Sequence, residues 1–259
     1  LPPVISTIIQ ARFSSARLPG KVLKPVLDMP LLALQIERLR RAETLSKLII
    51  ATSDGAEDDP IEALCNDLGI DCFRGSLDDV LDRFYQCART YKPDHIVRLT
   101  GDCPLADPDI IDRVVRLHLE GGFDYTSNIL PPTWPDGMDV EVFRYSCLGE
   151  AHAEAELPSE REHVTPFIRN RPERYRLGNL RNDRDLSEHR LTVDEPEDFE
   201  KIRRIYEILY PQNPLFTTGD VIALLESDSN LSELNAHIGR NEGARIAEKK
   251  DAAFLKKTP

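Results

Sequence analysis

The chain predicts an α/β fold in which a mostly parallel sheet is flanked by helices. Three observations lead there. Short runs rich in β-branched residues alternate with stretches of helical period through the first half. Asp-Pro pairs stand where helices should begin. A length of 259 residues with 41% hydrophobic content is enough for a sizeable core. Strands joined through helices pair in parallel, because a parallel neighbour needs a long crossover.

The expected strands are Val4 to Gln10, Lys47 to Thr52, Ile70 to Phe73, His95 to Thr100 and Phe123 to Ser127. Between them the expected helices are Leu31 to Ala42, Pro60 to Leu68, Asp78 to Tyr91 and Pro108 to Leu119. Asp59 before Pro60 and Asp107 before Pro108 each pair a capping carboxylate with a proline suited to the first turn. After Asn128 the rhythm changes. The Pro-rich stretch LPPTWPDG leads to a strand at Met138 to Phe143, helices at Tyr145 to Glu156 and Ser159 to Arg169, and strands at Tyr175 to Leu180 and His189 to Val193. A helix follows at Glu197 to Leu209. The expected organisation is a domain over residues 1–211 with an insertion at about 129–188, then a helical extension over 212–259. That extension has helical pieces at Thr218 to Glu226 and Leu231 to Ile238 and a frayed, charged end from Arg245.

A formal charge of −12 argues against nucleic acid or an anionic membrane as partner, since either would meet net repulsion. No apolar run approaches the roughly 18 to 20 residues that span a bilayer, so the cytoplasm is the expected compartment. Cys65, Cys72, Cys87, Cys103 and Cys147 are odd in number and form no C-x-x-C pair, which suggests reduced thiols. Cys103, in TGDCPL, is read as small filler, with a reactive thiol as the alternative.

Ligands of parallel α/β sheets bind beyond the carboxyl ends of the strands. There Arg12, Arg17 and Lys21 leave the first strand, Thr52, Ser53 and Asp54 the second, and Thr100, Gly101 and Asp102 the fourth. Ser14, Ser15, Ala16 and Gly20 let backbone amides approach an anion, while the arginines and lysine supply charge. A triphosphate is the natural guest, although the loop matches neither the Walker A pattern nor G-x-G-x-x-G. Asp102, between Gly101 and Pro104, can hold Mg²⁺, which takes one or two protein carboxylates when nucleotide phosphates supply the rest. Asp194 is either the second carboxylate or the cap of the helix that follows it.

The segments QARFSSARLPGK, TGDCPLADPD and RLTVDEPEDFE, in that order, resemble the nucleotide-sugar cytidylyltransferases that activate 3-deoxy-2-ulosonic acids such as Kdo and sialic acids. RGSLDDVLDRF, PDGMDVEVF and EREHVTPFI are similar to segments of the spore-coat polysaccharide cytidylyltransferase (SpsF) group. The resemblance implies a Rossmann-like nucleotidyltransferase sheet with an inserted sugar-binding and dimerisation subdomain, and a homodimer that uses CTP and a sugar acid. By it, Arg12, Arg17 and Lys21 hold the β- and γ-phosphates, and Asp102 and Asp194 hold Mg²⁺. Gln10, Ala11, Thr52, Ser53, Arg74 and Gly101 complete the nucleotide pocket.

Acceptor-binding residues are expected in the inserted portion, at Asn128, Asp136, Asp139 and Glu141, with Glu162 and His163 next and Arg161 beside them. Alternation along the strand puts Asp139 and Glu141 on one face. Carboxylates suit the hydroxyls of a polyol, so a cation or backbone amides must handle any acid group. His163 is equally a surface or satisfied histidine. Arg83 is expected to pair with Asp79 four residues earlier, and Trp134 either covers a sugar or anchors its loop. The expected reaction is in-line attack on the α-phosphorus with pyrophosphate leaving. Alternatives are a sugar or polyol phosphate acceptor, another nucleotide, or a nucleotide-binding protein without turnover. Ile129 to Pro135 is the expected apolar dimer surface.

Overall fold

The structure, a computed structural model, describes residues 3–15, 17–240 and 242–256, with backbone only at 242–246 and 248. Ala16, expected to help cradle an anion, lies outside the described residues. In chain order the elements are β1 (Ile5–Gln10), the two-stranded hairpin β2 (Pro25–Val26) and β3 (Met29–Pro30), α1 (Leu31–Leu39), β4 (Lys47–Ser53), α2 (Asp59–Leu68), β5 (Asp71–Gly75), α3 (Val80–Tyr91) and β6 (His95–Thr100). There follow α4 (Pro108–Gly121), β7 (Tyr125–Ser127), β8 (Glu141–Arg144), α5 (Tyr145–Glu154), α6 (Pro158–His163), α7 (Pro166–Arg169) and β9 (Leu177–Asn179). The chain ends in α8 (Pro196–Leu209), α9 (Thr218–Ser227), α10 (Ser229–Glu233) and α11 (Glu242–Leu255).

Among the described residues seven strands form one sheet in the order β5-β4-β1-β6-β8-β7-β9. The strands β5, β4, β1 and β6 are parallel, β8 runs antiparallel to both β6 and β7, and β9 pairs parallel with β7. The mostly parallel α/β sheet read from the sequence is therefore present. Alternation along β1 sends Ile9 into a core shared with α1, α4 and α8, and Ile8 into a second core shared with α3, α5 and α7. The order reverses about β1, whose neighbours β4 and β6 carry the chain to opposite sides, so the exits of β1 and β6 frame a crevice.

Several local expectations change, each for a physical reason. The strand expected from Met138 begins only at Glu141, because the Asn128 amide donates to the Met138 carbonyl (2.7 Å) and accepts from Val140 N–H (2.9 Å). His189 to Val193 makes a single bridge to Asp136 instead of a strand. Leu191 N–H bonds the Asp136 carbonyl (2.7 Å) and Val193 N–H the Asp102 carbonyl (2.8 Å), so loops satisfy its backbone. Gly137 permits this approach: at φ +102°, a Cβ there would stand 2.5 Å from the Leu191 carbonyl carbon.

The helix expected over Ser159 to Arg169 breaks at Val164, whose φ of 71° and ψ of −55°, with Thr165 N–H bonded to the His163 carbonyl at 2.8 Å, form a γ-turn. A β-branched residue is strained there. Asp59 opens α2 instead of capping it, and its neighbour Asp58 faces the first loop. Arg83 donates to the Ser76 carbonyl (2.6 Å), whereas Asp79 caps α3 and pairs with Arg161. The charged end forms α11, which packs on α6 through Ser159 N–H to Asp251 (2.9 Å) and Lys250 to Glu162 (2.7 Å). In the expected apolar surface, Thr133, Trp134 and Pro135 are buried within the chain, and Trp134 anchors its loop by donating to the Leu180 carbonyl (3.2 Å).

Candidate active site

The centre of the crevice is one ammonium. Lys21 is presented by a short turn that begins at Gly20, where φ is +67°. Its Nζ lies 2.8 Å from Asp102 Oδ2, 2.9 Å from Asp194 Oδ1 and 2.7 Å from the Val193 carbonyl oxygen. Burial works against charge on both sides of this contact. Asp102 and Asp194 outweigh it for Lys21, whose pKa is raised, and Lys21 outweighs it for Asp102, whose carboxyl is held down to about 2.

Asp194 is not the helix cap. The cap position of α8 is Glu195, and Asp198 in the first turn reaches back to accept from the N–H groups of Asp194 and Glu195 at 2.9 and 3.0 Å, while the Asp194 carboxylate meets Lys21 and Arg190 in the crevice. It also meets Arg17 at 3.2 Å, and Arg17 reaches Glu195 at 3.1 Å. Arg190 holds the arrangement from behind, donating to Asp136 (3.1 Å), Asp194 (2.9 Å) and both oxygens of Asp198 (2.9 Å each). Arg12 is exposed at the mouth, near Arg83, which burial and then Arg12 pull down to about 10.

The floor is made where two strand exits touch. Gly101 N–H donates to the Gln10 carbonyl (2.8 Å), and a Cβ on Gly101 would stand 3.0 Å from that of Ala11. Ala11, Thr52 and Ser53 are buried. Asp58 joins the exits of β1 and β4 by accepting from Phe13 N–H (2.6 Å) and Ser53 N–H (2.9 Å). Arg74 does not point free into this pocket. Its guanidinium clamps the β4 exit, meeting the carbonyls of Ser53 and Gly55 and the carboxylates of Asp59 and Glu62 at 2.7 to 3.0 Å.

On the other side lie Asp136, Asp139, Glu141 and His163. Glu141 is consumed by the framework: Arg98 pairs with it, and Tyr125 and Thr165 hydroxyls each donate to it at 2.6 Å. Burial opposes its charge and Arg98 prevails, so its pKa is lowered. Asn128 is likewise buried with its amide spent on the 138–140 backbone. Both are thus engaged by the framework, where they had been expected to face the acceptor. Asp139 differs. Burial, with Asp136, Glu141 and Asp102 nearby, pushes its carboxyl up to about 7 despite Arg240 at 2.9 Å. The γ-turn at Val164 leaves His163 Nε2 buried with no hydrogen-bond partner among the described residues, and burial and then Arg98 lower its pKa. Glu162 pairs with Lys250 (2.7 Å) and lies near His163 and Arg12. Cys103 is buried between these groups and pushed well above the usual thiol range by burial and then Asp102, which makes it filler rather than a nucleophile.

The structure thus brings together Arg17, Lys21, Asp102 and Asp194 on one side and Asp136, Asp139 and His163 on the other. Sequence reasoning did not single out Asp58, Arg98, Arg190, Asp198 or Arg240. Arg190 stood inside the quoted RLTVDEPEDFE, so its place beside Asp194 was the available signal. Chemically, carboxylates converging on one cation beside a cationic loop suit a phosphate-bound metal and a polyanion.

A family model for cytidylyltransferases matches residues 6–236. The chain is 39% identical over 225 residues to the spore coat polysaccharide biosynthesis protein SpsF of Bacillus subtilis, covering 84% of this chain and 92% of that protein. It is 34% identical over 138 residues to a 3-deoxy-manno-octulosonate cytidylyltransferase of Anaeromyxobacter sp., covering 52% of this chain and 54% of that protein. The fold superposes with a TM-score of 0.85 on a cytidylyltransferase from Leptospira borgpetersenii, at 34% identity over 89% of this chain and 97% of that one. The fold is that of a nucleotidyltransferase. The chain belongs to the cytidylyltransferase family.

Proposed function

We propose that this enzyme transfers CMP from CTP to a sugar acid of the 3-deoxy-2-ulosonic type, releasing pyrophosphate, to supply surface polysaccharide synthesis. The observation that carries the reading is the single ammonium shared by Asp102 and Asp194 at the exits of β6 and the 189–193 segment. Two carboxylate oxygens that already meet one cation at 2.8 and 2.9 Å fit a divalent ion that takes its remaining ligands from phosphates. Asp102 and Asp194 would hold Mg²⁺, which polarises the α-phosphate when bound.

The protein's own part is positioning and charge. An acceptor hydroxyl attacks the α-phosphorus and gives up its proton to solvent, the bond from that phosphorus to the bridging oxygen breaks, and pyrophosphate departs with that bond's electron pair and its negative charge. Lys21, Arg17 and Arg12 would neutralise that charge, Lys21 and Arg17 exchanging a carboxylate for a phosphate as the nucleotide enters. Gln10, Ala11, Thr52, Ser53 and Gly101 would line the cytidine, with Arg74 stiffening the wall. Asp136, Asp139 and His163 would face the acceptor. The polysaccharide and ulosonic-acid names carried by the relatives support this choice of acceptor.

Pyrophosphate release tests it. The purified protein with Mg²⁺ is assayed with each of the four nucleoside triphosphates against ulosonic acids and sugar phosphates. CTP with a ulosonic acid is the expected productive pair, and release only with a sugar phosphate would overturn the acceptor class.

A further inference from the structure

The chain beyond α8 returns to the site twice. Asn235 Nδ2 donates to Asp198 (2.7 Å) and to the Arg190 carbonyl (3.1 Å), and its Oδ1 accepts from Lys201 (2.8 Å). That buried network delivers the following turn to the acceptor wall. Arg240 then meets Asp139 at 2.9 Å and the Trp134 carbonyl at 3.1 Å, with its Nε 3.9 Å from Asp136. After it, α11 runs back over α6, bonded through Asp251 and Lys250. One segment therefore ties the 134–139 wall to the 158–163 wall.

Three arginines pair with the carboxylates on this side, and they are not equivalent. Arg98 is spent on Glu141 and on Gln10 at 2.8 Å, and Arg190 on three carboxylates. Among the described residues Arg240 has one carboxylate within 3 Å, Asp139, with Asp136 next at 3.9 Å, and the Arg240 and Asp139 side chains are 17% and 35% exposed, so solvent reaches both. A wall of carboxylates accepts hydrogen bonds from hydroxyls but repels an acid group, and a planar guanidinium supplies the missing donor in a fork that fits a carboxylate. Asp136 and Asp139 lie near Asp102, so this fork stands beside the carboxylates that frame the reaction centre.

We propose that Arg240, contributed by the segment after α10, recognises the carboxylate of the acceptor while Asp139 takes a neighbouring hydroxyl of the same molecule. This rests on the sugar-acid reading above. Kinetics on the full chain separate the two. The ulosonic acid that the wild type uses is compared with its neutral C1 amide, in the wild type, Arg240→Ala and Arg240→Lys.

In Arg240→Ala the KM for the acid should rise about tenfold or more while the KM for CTP stays within about twofold, and the preference for acid over amide should collapse. Arg240→Lys, which keeps a point charge without the fork, should fall between, and it carries the test if the alanine variant does not fold. An acid-over-amide preference unchanged in either variant, or a raised KM for CTP alone, overturns the assignment while leaving the enzyme reading intact. A wild type that releases pyrophosphate with no ulosonic acid overturns the sugar-acid reading, and the role of Arg240 with it.

Discussion

Asp102 and Asp139 are two carboxylates of one cleft with opposite fates. Burial penalises both. Asp102 has Lys21 at 2.8 Å and is held down to about 2, whereas Asp139 has Asp136, Glu141 and Asp102 around it, and one arginine leaves it at about 7. The difference separates the two sides of the site. The side proposed for the nucleotide keeps its negative charge fixed and matched to the Lys21 ammonium, which a metal and phosphates would replace. On the side proposed for the acceptor, burial first and the neighbouring acids after it raise the Asp139 carboxyl to about 7, so its charge changes near neutral pH.

The largest expected effect breaks the nucleotide side. Asp102→Asn should lower kcat/KM by ~10³-fold, about 4 kcal/mol of transition-state stabilisation, with the circular dichroism spectrum unchanged. A rate within about threefold of wild type would remove Asp102 from the reacting centre. Next is the residue behind both sides. Arg190→Met leaves Asp136, Asp194 and Asp198 without their shared guanidinium, and Asp198 is wholly buried. Removing one partner from such a buried set costs about 3 kcal/mol. Urea denaturation should show that loss, and a midpoint within error of wild type would mean the carboxylates find other partners.

The acceptor side predicts a pH dependence of its own. An Asp139 that titrates at about 7 is neutral below and ionised above. If the ionised form accepts a hydroxyl hydrogen bond, kcat/KM for the acceptor rises about tenfold per pH unit up to 7 and then levels. Stability moves the other way. The native chain keeps a proton that the unfolded one gives up at about 3.8, so the contribution of Asp139 declines as pH rises through that window. Asp102 has the reverse sign: its stabilisation is complete above about 3.8 and is lost as pH falls toward about 2. Asp139→Asn should erase the activity limb near pH 7 and flatten the thermal midpoint between pH 4 and 7. A limb that survives the substitution belongs to another group.

These two sides were unequally legible in the sequence. The nucleotide side is local: Arg17 and Lys21 share one loop, and Asp102 follows one strand, so strand-exit reasoning reaches them. Asp194 could be separated from a helix cap only by seeing the cap position fall one residue later, at Glu195, with Asp198 reaching back to its N–H. The acceptor side is assembled across the chain, with Arg190 bonded to Asp136 54 residues away and Arg240 to Asp139 101 residues away, and no spacing rule reports such pairs. Asn128 and Glu141 were drawn in for the opposite reason. A polar residue at a strand end reads the same whether it faces a ligand or, as here, backbone amides and Arg98. Asp58 was hidden within an acidic run that reads as a solvated face.

Arg74 gives the smallest expected effect and the sharpest check on what counts as part of the nucleotide side. It sits at a strand end beside Ser53, where a free guanidinium would reach a nucleotide, yet among the described residues its bonds go to Ser53, Gly55, Asp59 and Glu62. Asp59 and Glu62 are well exposed, so those pairs are screened by solvent and each is a weak tie. Arg74→Ala should therefore raise the KM for CTP by no more than about threefold, through a looser wall, with kcat unchanged. Arg17→Ala, which takes a cation from the crevice itself, should raise it by about tenfold or more under the same conditions. Measured side by side, equal losses would mean that Arg74 swings from its acidic partners onto the nucleotide. The boundary between clamp and ligand on this side would then have to move outward to include it.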